Sequence, residues 1–141
     1  MKTALIFTSQ TELQFNGNAN QVLVSGALPA RGVIVGYALS GSFDGTSASD
    51  FPTWLRIGLT NQPRIADLTS AVLDAAQNIV SVVKRPNSAI TASSYLHFDK
   101  AYVFPSGFGI RYGELATIYA VGWGRNGDRV EFDLRLDVDL E

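Results

Sequence analysis

The last twelve residues, VEFDLRLDVDLE, alternate without a break. Val130, Phe132, Leu134, Leu136, Val138 and Leu140 share one side, and Glu131, Asp133, Arg135, Asp137, Asp139 and Glu141 share the other. A period of two over this length is the pattern of a β-strand with one dry and one wet face. A helix would scatter the same apolar residues around its whole circumference. The dry face must be covered, so the segment requires a neighbouring strand on its edges and a second layer against it. Five of the six wet residues are acids. Alternate residues on a strand lie about 7 Å apart, within a Debye length of about 8 Å at physiological salt, so these carboxylates repel one another.

The same period recurs upstream. Leu13 and Phe15 alternate before NGNAN, and Val22 and Val24 alternate after it, giving strand, loop and strand; Asn16-Gly17 tolerates positive φ. GVIVGYALSG is a continuous apolar run bounded by Gly32 and Gly41, as in a strand buried on both faces, and SFDGTSASDFP is a polar loop by composition. TWLRIGLT sets Leu55, Ile57 and Leu59 against Trp54, Arg56 and Gly58, and SYLHFDKAYVF is a further strand. Between them the period changes. Ile65, Leu68, Val72, Ala75 or Ala76, Ile79 and Val83 recur at steps of three and four, with Pro63 before and Pro86 after. This pattern predicts one short helical insertion near residues 65–77. The β-branched run that follows, 78–84, fits either helix or strand.

Asn126-Gly127 between two apolar runs is a strong hairpin signal. A two-residue turn there predicts a register in which Trp123 faces Val130, Val121 faces Phe132 and Tyr119 faces Leu134, all on the core side. On the opposite side Ala116, Ile118, Ala120 and Gly122 then lie beside Glu131, Asp133, Arg135 and Asp137. Small residues next to acids make a smooth outer surface. Either it is a plain solvent face that guards solubility and edges, or it meets a partner bearing cations. The partner reading assigns Ala116, Ala120, Gly122, Glu131, Asp133, Asp137 and Asp139 to an interface.

Composition narrows the function classes. The chain has 141 residues, the size of one domain, with no linker or internal repeat, so residues 1–141 are expected to form a single β-sandwich domain. It has no cysteine and one histidine, His97, which excludes disulfides and most cysteine or histidine metal sites. A net charge of −2 gives no pull towards nucleic acid. The start, MKTALIFTSQ, has only four consecutive apolar residues, too few for a signal peptide, and no run is long enough for a membrane helix. Charged residues are 17% of the chain, against roughly 25% in typical soluble domains. Such a surface is either rich in Ser, Thr and Asn or partly covered by neighbours in an assembly.

No catalytic constellation stands out. His97 and Asp99 share one side of a strand, but no nucleophile or oxyanion donor is assigned to them. GFGIRYG has Tyr112 where a dinucleotide fingerprint needs a small residue. Asp44 and Asp50 lack the ligand spacing of a calcium loop. The aromatics Tyr95, Phe98, Tyr102, Phe104, Phe108 and Tyr112 have only Lys100 and Arg111 among them, too little charge for a nucleic-acid groove. No enzyme activity and no cofactor are expected, and a small-molecule ligand is left open.

In the segment from Tyr95 to Gly122 a strand ends at the corner Phe104-Pro105-Ser106-Gly107. A short apolar strand, Phe108 to Tyr112, comes next, and Gly113-Glu114 launches Leu115 to Val121. This resembles the corners of small jelly-roll capsid and capsid-associated proteins of bacteriophages, and carbohydrate-binding modules share such corners. The resemblance implies a jelly-roll-like antiparallel sandwich with a structural role in a virion. It also implies partners that are copies of the chain or other particle subunits. The alternative is a carbohydrate- or other ligand-binding sandwich that uses rings such as Trp54 or Trp123. Without a signal peptide, the expected location is the virion, or otherwise the cytoplasm.

Overall fold

The computed structural model describes residues 1–9, 13–15, 21–29, 31–46, 53–60, 77–84, 93–114 and 116–141. Among these there are ten strands: β1 (Lys2–Thr8), β2 (Leu13–Gln14), β3 (Gln21–Ala27), β4 (Gly32–Thr46), β5 (Thr53–Thr60), β6 (Gln77–Lys84), β7 (Ser93–Val103), β8 (Ile110–Tyr112), β9 (Thr117–Trp123) and β10 (Arg129–Leu140). They form two antiparallel sheets. The first runs β1-β10-β4-β7, with β2 beside β10 and β8 beside β4, and the second runs β3-β9-β5-β6.

The C-terminal alternation is realised as β10, an inner strand with β1 on one side and β4 on the other. Val130, Phe132, Leu134, Leu136 and Val138 are buried. They face the second sheet, where Leu55, Ile57, Ile118 and Ala120 complete one core with Leu39 and Phe43 of β4. Burying a side chain of this kind contributes about 1.5–3 kcal/mol, so β10 supplies a large share of the apolar term. In β5 the alternation holds as read: Leu55, Ile57 and Leu59 are buried, and Trp54 and Arg56 are half-buried on the other side.

Three expectations are corrected. No helix occurs among the described residues. Of the expected insertion at 65–77, positions 65–76 lie outside the described residues, and Gln77 opens strand β6, which settles 78–84 as strand. Its β-branched side chains prefer the extended backbone, which decides between the two readings the sequence left open for this run. The polar stretch after Gly41 is not all loop, because β4 continues to Thr46 opposite β7 and β10.

The third correction concerns the hairpin. β9 and β10 do not pair; β9 lies between β3 and β5 in the second sheet, and β10 lies in the first. The turn itself is present. The Asp128 N–H donates to the Arg125 carbonyl at 2.9 Å, and Gly127 has φ +97°. The groups around it are taken by Phe15, whose N–H donates to the Asp128 carbonyl at 2.8 Å and whose carbonyl accepts from Gly127 at 3.2 Å. The chain therefore crosses from one sheet to the other. The face assignment of β9 reverses with it. Ala116, Ile118 and Ala120 belong to the core between the sheets, whereas Val121 and Tyr119 are buried outside that cluster. The small residues fit there because bulk comes from elsewhere: a Cβ on Gly122 would lie 3.0 Å from the Phe15 ring, and one on Gly124 only 2.5 Å from it.

Candidate assembly surface

The acids of β10 lie on the outer face of the first sheet, and register names their neighbours. Asp133 stands between Thr8 of β1 and Ser40 of β4, Arg135 between Ile6 and Ala38, and Asp137 between Ala4 and Gly36. β7 extends the same rows, with Asp99 opposite Ser40, Ala101 opposite Ala38 and Val103 opposite Gly36. Acids do stand beside a row of small residues, as the sequence suggested, but the row is Ser40, Ala38 and Gly36 of β4. Ala116, Ala120 and Gly122 are buried in the second sheet and do not join the acids.

Glu131, Asp133 and Arg135 are exposed, and Asp137 and Asp139 are half-buried. Arg135 Nε is 3.2 Å from Asp137 Oδ1, the Met1 amino group is 3.1 Å from Asp139 Oδ1, and Arg111 pairs with Glu141. Exposed pairs of this kind contribute about 0–1 kcal/mol each. Among the described residues neither Glu131 nor Asp133 has an ion pair. They flank a shallow polar hollow of about 230 Å³ with Thr8, Ser9 and Ser40. The Ser9 hydroxyl accepts from the Phe132 N–H at 3.1 Å, and the Ser9 N–H donates to the Phe132 carbonyl at 3.0 Å. The hollow's serine floor thus serves to tie β1 to β10.

The face changes character towards β7 and the corner after it. Of eight exposed large apolar side chains among the described residues, five lie on β7 and its corner: Tyr95 (63%) and Val103 (78%) on the outer side, Leu96 (37%) and Tyr102 (48%) on the inner side that Phe98 shares, and Phe108 (74%) at the corner. The corner is built as the sequence indicated. The Phe108 N–H donates to the Pro105 carbonyl at 2.9 Å, and Gly107 has φ +87° at the third turn position, where type II turns require it. It leaves Phe108 exposed to solvent. The exposure of these side chains depends on β7 being an edge, which follows only from the pairing of all the strands. His97 and Asp99 lie on this face, and the His97 ring stacks on Tyr95 with centroids 6.2 Å apart. Behind β8, burial raises the pKa of the Tyr112 phenol, and the Glu141 carboxylate adds to the shift. Trp54 and Trp123 are direct cross-strand neighbours on the second sheet, both half-buried.

No family model and no curated protein sequence matches the chain. Solved structures do. The structure of Eiger TNF from S. frugiperda superposes with a TM-score of 0.50 at 10% identity, covering 99% of this chain and 94% of that one. The likeness is one of fold. A structure of infectious bursal disease virus, Gx strain, gives 0.46 at 12% identity, with 97% of this chain on 32% of the viral one. The T13 particle of the same virus gives 0.30 at 11%, with 99% on 39%. The chain thus spans about a third of each viral chain. No helix among the described residues is long and apolar enough to cross a membrane.

Proposed function

We propose that the chain is a structural subunit of a virus particle, most simply a bacteriophage capsid or capsid-associated protein. It acts without chemistry of its own, by self-association or by docking on a shell through the outer face of the first sheet. The observation that carries this is the row of exposed apolar side chains along the border strand of that sheet and its corner: Tyr95 and Val103 on the outer side, Leu96 and Tyr102 on the inner, and Phe108 beyond. Contiguous exposed apolar groups rimmed by polar ones mark interaction surfaces. The acidic and small-residue rows continue the outer side of that strand as a flat surface on which another subunit's backbone can approach closely, with cations opposite Glu131 and Asp133. The strand order supports a jelly roll: β1-β10-β4-β7 opposite β3-β9-β5-β6 is the order produced by rolling two Greek keys, an architecture frequent in capsid and lectin domains. Fold does not assign function, so the surface must bear the test. Replacing Val103 and Phe108 together with serine is expected to lower self-association or particle incorporation. The melting free energy should change by less than about 0.5 kcal/mol, as for exposed positions generally. Unchanged association would move the contact surface elsewhere.

A second reading, a ligand-binding sandwich, draws on the Trp54–Trp123 pair. Two adjacent half-exposed indoles offer a stacking platform for a sugar ring. Quenching of tryptophan fluorescence by oligosaccharides, with the assembly variant unaffected, would favour it.

A further inference from the structure

β7 borders the first sheet. It pairs with β4 along its whole length, and no described strand pairs with its other side. An edge of eleven residues is a ready template for another strand. Proteins that keep such edges apart use proline, bulges or repelling charges. β7 has no proline, and its register with β4 is unbroken. Lys100 is turned to the inner side, where its Nζ donates to the Ser81 carbonyl of β6 at 3.1 Å. The charges left on the outer side are at His97 and Asp99.

These two residues select a partner. In an antiparallel pair about a two-fold axis perpendicular to the sheet, outer side chains meet outer ones. The register that overlaps all eleven residues is centred on Phe98, the midpoint of Ser93–Val103. It places His97 opposite Asp99 of the partner subunit, twice by symmetry. It also places the large Tyr95 opposite the small Ala101 of the partner subunit, twice. An imidazole N–H donates to a carboxylate in either protonation state. Neighbouring registers lose this match. Centring on Asp99 sets two carboxylates face to face, centring on Lys100 does the same with two ammonium groups, and centring on His97 puts Tyr95 against Asp99 of the partner subunit. The register of greatest overlap is therefore also the one of complementary charge and size.

We propose that two copies of this chain pair β7 to β7, antiparallel and centred on Phe98, so that their first sheets become one continuous sheet. This rests on the assembly role proposed above and names its contact. The chain has no cysteine, so introduced thiols report cleanly. Chains carrying Tyr95→Cys are mixed with chains carrying Ala101→Cys. In this register the two Cα atoms are directly opposite, about 4.5–5.5 Å apart, within the range a disulfide spans. Two copies of Ala101→Cys alone lie about 20 Å apart along the strand. The mixed disulfide is expected to exceed either self-disulfide by about tenfold or more. Independently, His97→Asp should raise the dimer dissociation constant about tenfold by opposing like charges, and adding Asp99→His should restore it. Association without the mixed disulfide or the charge rescue overturns this dimer and leaves the assembly role in place. A chain that stays at 15.2 kDa at every concentration overturns this dimer and self-association with it, and only docking on a shell is left of the assembly role.

Discussion

Phe15 decides where the chain goes after residue 124. Its ring fills the space that Gly122 and Gly124 leave open, and its backbone takes the hydrogen bonds of Gly127 and Asp128. A hairpin would have used a strand partner for that purpose. The turn at 125–128 was legible from Asn126-Gly127, because positive φ is a local demand; the wedge that parts the flanking strands was not, because it arrives from more than a hundred residues away. Gly127, at φ +97°, holds a conformation that costs a β-branched side chain about 1–3 kcal/mol. Gly127→Val is therefore expected to lower stability by about that much in thermal or urea melts, and Asn126→Gly by much less. Equal melts for the two variants would contradict the turn geometry.

At the level of elements, β10 shows what alternation tells and what it leaves out. It foretold which residues of VEFDLRLDVDLE are dry and which are wet, because period two is a property of the strand alone. It did not tell which strands lie on either side. The hairpin register counted from Asn126-Gly127 set the small residues of β9 beside the acids. In the fold those small residues oppose bulky side chains across the core, and it is β4 that presents Ser40, Ala38 and Gly36 to the acids. Since β10 has β1 and β4 on its two flanks, its carboxylates guard no open edge. Two faces of one strand should then answer differently to substitution. Leu136→Ala is expected to cost about 2–5 kcal/mol of stability in denaturant melts, as for a fully buried leucine. Asp133→Asn with Asp137→Asn should leave stability within about 0.5 kcal/mol but weaken association or alter its salt dependence. If association is unchanged and only solubility falls, the acidic row serves solubility and partners do not touch it.

For the molecule as a whole, the antiparallel sandwich was readable from the spacing of apolar runs and turn residues, as was the corner at 104–108. The distribution of strands between sheets was not, since every crossing is fixed by long-range pairing. For the same reason the surface was only half visible. Its acids were plain in the sequence, whereas the exposed Tyr95, Val103 and Phe108 gain their meaning from the position of β7 at a border. The assembly role proposed above rests on this border and on the acidic face beside it. The most direct test is the mass of the full chain by sedimentation equilibrium across a wide concentration range. The assembly role predicts a mass that rises from 15.2 kDa with concentration to a multiple of it, beginning with the dimer. A mass fixed at 15.2 kDa throughout would contradict self-association and confine the role to docking on a shell.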